Sequence, residues 1–214
     1  MTEIAFDTKN DDFIYYLKAG TFENYSPISS ARPHDFDIHH YQISTDESKQ
    51  HTDRKSYLMQ SLQVSTEGNG IYFVMFDDAN AETADDIFEA HQRIFYLSLD
   101  ESDDLRVASK EGKNADIYDF TVTPNDEAFI FQAVNGTGED GIYEYELFTY
   151  DRETGTEELL TNMREHTSNP VIGPDGETVY FIVDKQFGRP SSDYYLYKMN
   201  MDGSGIEEVS LSME

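Results

Sequence analysis

Ile172-Gly173-Pro174-Asp175-Gly176-Glu177-Thr178-Val179-Tyr180-Phe181 decides how this chain folds. A strand end, Val171-Ile172, runs into a tight turn. Pro174 presets φ at the first central position, Asp175 follows, and Gly176 accepts a positive φ. An aromatic and β-branched strand, Thr178 to Val183, leaves the turn. The same pattern occurs three more times, at Phe6–Tyr15, Val64–Phe73 and Val122–Phe131. The four copies align without a gap over this stretch, at spacings of 58, 58 and 50 residues. A repeat of that length is an array of equivalent supersecondary units.

Working outward from the last copy, Asn169–Ile172 reads as a first strand, Thr178–Val183 as a second and Tyr194–Asn200 as a third. The turn Asp202-Gly203-Ser204-Gly205 leads to a fourth and outermost strand, Ile206–Ser210. The other copies follow suit, with second strands Phe13–Leu17, Ile71–Phe76 and Phe129–Phe131. Their third strands are Ile38–Ile43, Ile94–Leu99 and Leu147–Tyr150. The second strands are apolar on both faces, whereas a sheet with one wet face alternates. Sheets covered on both sides by neighbours satisfy this, which points to a β-propeller of four-stranded antiparallel blades. An antiparallel sandwich or irregular barrel is the alternative. The expected organisation is one propeller-type domain over residues 1–214, with repeats at 1–55, 56–113, 114–165 and 166–214. The segment Thr83–His91 reads as a short helix capped by Thr83, or as a plain acidic loop.

The strand, Pro-Asp-Gly turn, aromatic strand, Leu-Tyr strand and Asp-Gly turn resemble the WD40-like repeat of TolB-type β-propellers. Pro174-Asp175-Gly176, Val179-Tyr180-Phe181, Leu196-Tyr197-Lys198-Met199 and Asp202-Gly203 carry the resemblance in the fourth copy. Pro124-Asn125-Asp126 and Leu147-Phe148-Thr149-Tyr150-Asp151 carry it in the third. The first two copies lack the proline and match in register alone. The resemblance implies a fold. Members include periplasmic interaction modules, propeller domains of peptidases and polysaccharide lyases, and sensor ectodomains. Related propellers commonly have six to eight blades, and four are visible here. Either the four blades close on themselves or they are an arc of something larger; the expectation is a segment of a longer chain, and two arcs could also pair as a homodimer through open propeller edges.

Charge and chemistry narrow the function. The net charge of −28 excludes binding that depends on neutralising phosphates, so neither nucleic acid nor an anionic membrane surface is an expected partner. No apolar run is long enough to span a membrane. With no cysteine, disulfide scaffolds and thiolate metal sites are excluded. No nucleophile elbow, Walker loop or His-Glu-x-x-His helix is present. Ser204 lacks the glycine that an elbow requires two residues earlier. His39 and His40 are adjacent on a strand and point to opposite faces, while His34 and His40 could approach one another. The loop Asn135–Gly141 is rich in oxygen donors but lacks the EF-hand positions.

The links from second to third strands, Lys18–Asp35 and Asp77–Gln92, read as long loops at one end of the blades. Asp77 to Asp104 holds ten acids against one arginine. It reads first as a solvated face and second as a cation or basic-partner site. Asp77, Asp78, Asp85 and Asp86 are the metal-ligand candidates, with Ca²⁺ the fitting ion and no other cofactor implied. Phe22, Tyr25, Phe88, Glu89 and His91 are the interaction-face candidates. The expected function is a non-catalytic protein-interaction or sensory propeller, the exported part of a surface or membrane-anchored protein. The alternatives are an enzyme-associated propeller acting on polysaccharide or peptide with a divalent cation, and a structural domain of a larger chain. An extracytoplasmic or cell-surface location is expected, with the cytoplasm as the alternative.

Overall fold

The computed structural model describes residues 1–7, 9–24, 31–100, 104–109 and 116–210. Two compact units divide the chain, Met1–Ala108 and Ser109–Glu214. In the first unit, β1 (Glu3–Phe6), β2 (Phe13–Asn24), β3 (Ala31–Gln42) and β4 (Glu47–Gln50) form one antiparallel sheet in sequence order. The second sheet holds β5 (Met59–Val64), β6 (Gly70–Phe76), β7 (Gln92–Ser98) and β8 (Leu105–Val107). Helix α1 (Ala84–Glu89) lies between β6 and β7. In the second unit the third sheet comprises β9 (Asp119–Val122), β10 (Ala128–Thr137), β11 (Tyr143–Asp151) and β12 (Glu157–Leu159). The fourth comprises β13 (His166–Ile172), β14 (Thr178–Asp184), β15 (Tyr194–Asn200) and β16 (Glu207–Glu208). One parallel bridge, Tyr145 to His166, joins the third and fourth sheets.

The turns that defined the repeat form as expected in three copies. Gly68, Asp126 and Gly176 donate their N–H to Ser65, Thr123 and Gly173 O, each at 2.9 Å. All three sit at positive φ, 71°, 57° and 71°. Glycine adopts this conformation at little cost, and Asp is among the few other residues that tolerate it.

The first copy departs from the gapless alignment. Val64 pairs with Ile71, Val122 with Phe129 and Ile172 with Val179, enclosing residues 65–70, 123–128 and 173–178. Phe6 pairs with Ile14, enclosing residues 7–13, one more. Here the Asp7 carboxylate organises the turn by accepting from the N–H groups of Lys9 and Asn10, at 2.8 and 3.1 Å. Every later residue of β2 is therefore equivalent to the one 57 positions on, not 58.

Stacked rings fix the corrected register. Each sheet carries one cross-strand pair at the same depth: Tyr16–His39, Phe73–Phe95, Phe131–Phe148 and Phe181–Tyr197. Ring centroids lie 5.4, 6.2, 5.6 and 5.8 Å apart, with interplanar angles of 18°, 23°, 22° and 21°. Offset stacking of this kind adds to the hydrophobic gain of burial.

Within the first unit, Ala5, Tyr15, Leu17 and Ile38 of the first sheet pack against Ile71, Phe73, Met75 and Leu97 of the second. Within the second unit, Ile130 and Leu147 pack against Val179, Phe181, Val183 and Met199. Strand β6 is buried on both faces, as its unbroken apolar run required.

A buried polar lock recurs where the chain leaves each odd-numbered sheet. Asp37 accepts from the Thr52 hydroxyl at 2.8 Å and from Arg54 N at 2.7 Å, while Thr52 Oγ1 accepts from Ile38 N at 2.9 Å. Glu146 does the same with Thr161 at 2.5 Å and Arg164 N at 2.6 Å, and Thr161 Oγ1 accepts from Leu147 N at 2.8 Å. Buried carboxylates are tolerable when their lone pairs are filled in this way.

Candidate functional site

The stretch Lys18–Asp35, expected as a loop, is largely strand. β2 and β3 continue past Leu17–Ile38 as a hairpin through Phe22–Pro33 and Glu23–Arg32 to Asn24–Ala31. Cross-strand pairing outweighs the glycine and proline that suggested a loop. Alternation then splits the side chains. His34 is buried, with Nδ1 3.2 Å from Asp35 Oδ2, and Phe22, on the other face, is 71% exposed. The Thr21 hydroxyl donates to Asp35 and, with His34, holds its carboxyl below the ordinary range.

The hairpin is braced by the link between the two sheets. The Arg32 guanidinium lies 4.6 Å above the Tyr57 ring, and Tyr57 stacks on Phe76 at 6.4 Å and 22°. Phe36 and Ser56 exchange backbone hydrogen bonds at 2.8 and 3.1 Å. The link between the sheets thus ties the hairpin to the end of β6. Thr2, Arg32, Pro33, Phe36, Tyr57 and Met59 help line a cleft of about 250 Å³. That is below the usual range for small-molecule pockets and suits one inserted side chain.

Next to it stands the acidic insertion. Its helix forms for the reason the sequence indicated. Thr83 Oγ1 accepts from Asp86 N at 3.2 Å and Asp86 accepts from Thr83 N at 2.8 Å, a reciprocal capping box. Asp77 N donates to His91 O at 2.8 Å and closes the base. Of the metal-ligand candidates, Asp86 is engaged in the cap, which lowers its pKa through Thr83. Asp78 faces Arg54 at 3.5 Å, and Asp77 and Asp85 are exposed. Among the described residues no three His, Cys, Asp or Glu side chains form a group that could hold a metal ion. Glu89 and His91 are exposed on the same insertion as α1. Phe88 lies in α1, and Tyr25 falls outside the described residues.

His40 Nδ1 lies 2.8 Å from His51 Nε2, beside Phe13 and Tyr15. Burial, then the neighbouring His40, pushes His51 down to about 4.

The second unit closes its corresponding loops. Asn135–Thr137 continue β10, and Gly138–Gly141 is a turn with Gly141 N donating to Gly138 O at 3.0 Å. Asp140, one of the oxygen-bearing side chains of that loop, pairs with Arg189 at 2.5 Å. His166 stacks on Phe187 at 4.1 Å and meets Tyr145 edge-on at 4.7 Å. The buried Asp184 accepts from Gln186 N at 2.9 Å and Asp193 N at 2.8 Å.

No family model matches the sequence, and no curated protein does. Solved structures do. TolB from Acinetobacter baumannii superposes with a TM-score of 0.62 at 14% identity, over 94% of this chain and 40% of that one. The fold is that of the TolB-type propellers. An oligogalacturonate lyase in complex with manganese matches at 0.63 and 13%, over 98% of this chain and 53% of that one. A nidogen/laminin complex matches at 0.63 and 11%, over 96% and 62%. This TolB-like chain therefore spans less than two thirds of the structures it resembles. At such identities the likeness shows the fold, and activity is argued from residues.

Proposed function

We propose that this chain is a protein-binding propeller module without catalytic chemistry of its own, acting outside the cytoplasm as part of a surface or membrane-anchored protein. One observation carries the reading: a paired, braced hairpin holds Phe22 71% exposed beside a cleft sized for one side chain. An aromatic side chain offered on a rigid element is the usual anchor of a protein interface. The surrounding acids favour a partner with basic residues near its docking groove and speed its encounter.

The test is affinity capture with the wild-type chain and with Phe22→Ser, followed by identification of retained proteins. A protein held by the wild type and lost from the variant, with an unchanged thermal midpoint, supports the reading. Identical retention by both sinks it. The rival reading, a cation-dependent propeller acting on polysaccharide, draws on the likeness to the manganese-bound lyase. It predicts a rise in thermal midpoint with millimolar Mn²⁺ or Ca²⁺.

A further inference from the structure

The hairpin that carries Phe22 leaves one backbone edge without a strand. At the start of β2, Ile43 N donates to Asp12 O at 2.9 Å, and this sets the alternation. Asp12 and every second residue after it, up to Phe22, turn their backbone groups towards β3. The residues between turn the other way. Tyr15 and Leu17 meet β1 there, opposite Ala5 and Glu3. Ala19, Thr21 and Glu23 continue that row, and among the described residues no strand pairs with them on that side.

β1 could run on along this edge by setting Thr2 opposite Lys18. Instead Thr2 N donates to Leu17 O at 3.1 Å, and the chain parts from β2 there. No proline and no positive φ interrupts Ala19–Glu23. The hairpin's opposite edge is treated differently: Phe36 exchanges both backbone bonds with Ser56, and Asp35 sits at a φ of 59°. An unshielded edge is a template for another strand.

The cleft completes the template. Thr2 and Glu3 line it, so it lies where β1 ends and a collinear strand begins. Arg32 and Phe36 line it too, and they pair with Glu23 and Ala19, so they share one face of the hairpin. Phe22 lies on the other face. Side chains of a strand laid along the edge alternate between those faces. One enters the cleft, and its neighbours flank the Phe22 ring.

We propose that an extended, basic segment of a partner protein adds to Ala19–Glu23 as a further strand in line with β1, with an apolar side chain in the cleft and lysine or arginine stems beside Phe22. The proposal rests on the protein-binding reading and gives the partner its form. Backbone hydrogen bonds supply affinity, and the cleft supplies selectivity. The net charge of −28 favours a cationic segment and speeds its approach. A lysine over an exposed aromatic ring gains a cation–π contact.

The probe is a peptide of alternating lysine and threonine with leucine in place of the central threonine. N-methylation of every second residue, on one set or the other, blocks one backbone edge of the peptide and keeps its charge. Calorimetry with the whole chain is expected to show that the unmodified peptide binds, and that one of the two methylated copies binds about tenfold or more weakly. The unmodified peptide is expected to slow amide exchange at Ala19, Thr21 and Glu23. Absence of binding at millimolar peptide, equal binding of all three peptides, or unchanged exchange at those amides would overturn the proposal. A protein captured by the wild type and lost from Phe22→Ser keeps the proposed function even if all three peptides bind alike, so the two readings fail separately.

Discussion

The two units share a plan and differ in what they do with their loops. In each, both sheets carry the recurrent stacked cross-strand ring pair, and each has a carboxylate–threonine lock. In the second unit the loops turn inward: Arg189 reaches Asp140, Phe187 covers His166, and Asp184 gathers two backbone N–H groups. In the first, the hairpin stands out with Phe22 exposed and the acidic insertion beside it. One scaffold thus supports a closed loop end and a presenting one. The difference lies in short polar and aromatic contacts, and the buried strands are common to both.

The largest expected effect tests what the units share. Glu146→Ala leaves the buried Thr161 hydroxyl and the Arg164 N–H without their acceptor, and should lower stability by about 3 kcal/mol. Asp37→Ala should act the same way on the first unit. Urea unfolding measures both, and a loss under about 1 kcal/mol for either would show that water replaces the lock there.

Next come the loop ends. Phe187→Ala removes a stacked and an edge-on ring partner and should cost about 1–2 kcal/mol. Phe22→Ser should stay within about 0.5 kcal/mol. Equal costs would mean that the hairpin is a structural brace and not a presented element.

Acid should separate the units by extent. Burial lowers His39, His40 and His51 in the first unit and His166 in the second. A histidine depressed in the folded state is protonated first in the unfolded chain. Its contribution is whole above the ordinary value of 6.5 and is lost as pH falls towards about 4, where folded His51 takes its proton. Hydrogen exchange of β3 should accelerate on acidification more than that of β13. The reverse order would assign the acid sensitivity to His166. Smallest of all, Arg189→Gln breaks an exposed pair and should change stability by less than about 1 kcal/mol.

Much of the fold was legible because its signals are local. Gly173-Pro174-Asp175-Gly176 encodes its own turn, and Thr83 with Asp86 encodes its own cap. The extra residue in the first turn was hidden because Phe13-Ile14-Tyr15-Tyr16-Leu17 is apolar at every position. Either parity buries aromatic surface, and only the distant partner His39 decides between them. The hairpin was hidden likewise, since Thr21–His34 and Phe22–Pro33 pair across a gap that local propensity does not see. The locks were visible only as Asp37 and Thr52, and Glu146 and Thr161, each fifteen residues apart. That spacing has meaning once the third strands are placed.

The longer first turn bears on ancestry. Sheets descended from one original can gain a residue between their first two strands and keep every ring pair on its proper side. The same gain inside a strand would turn the remaining side chains to the opposite face. Variation in length among the copies should therefore gather in the turns, and the paired rings should mark common descent longer than the proline does.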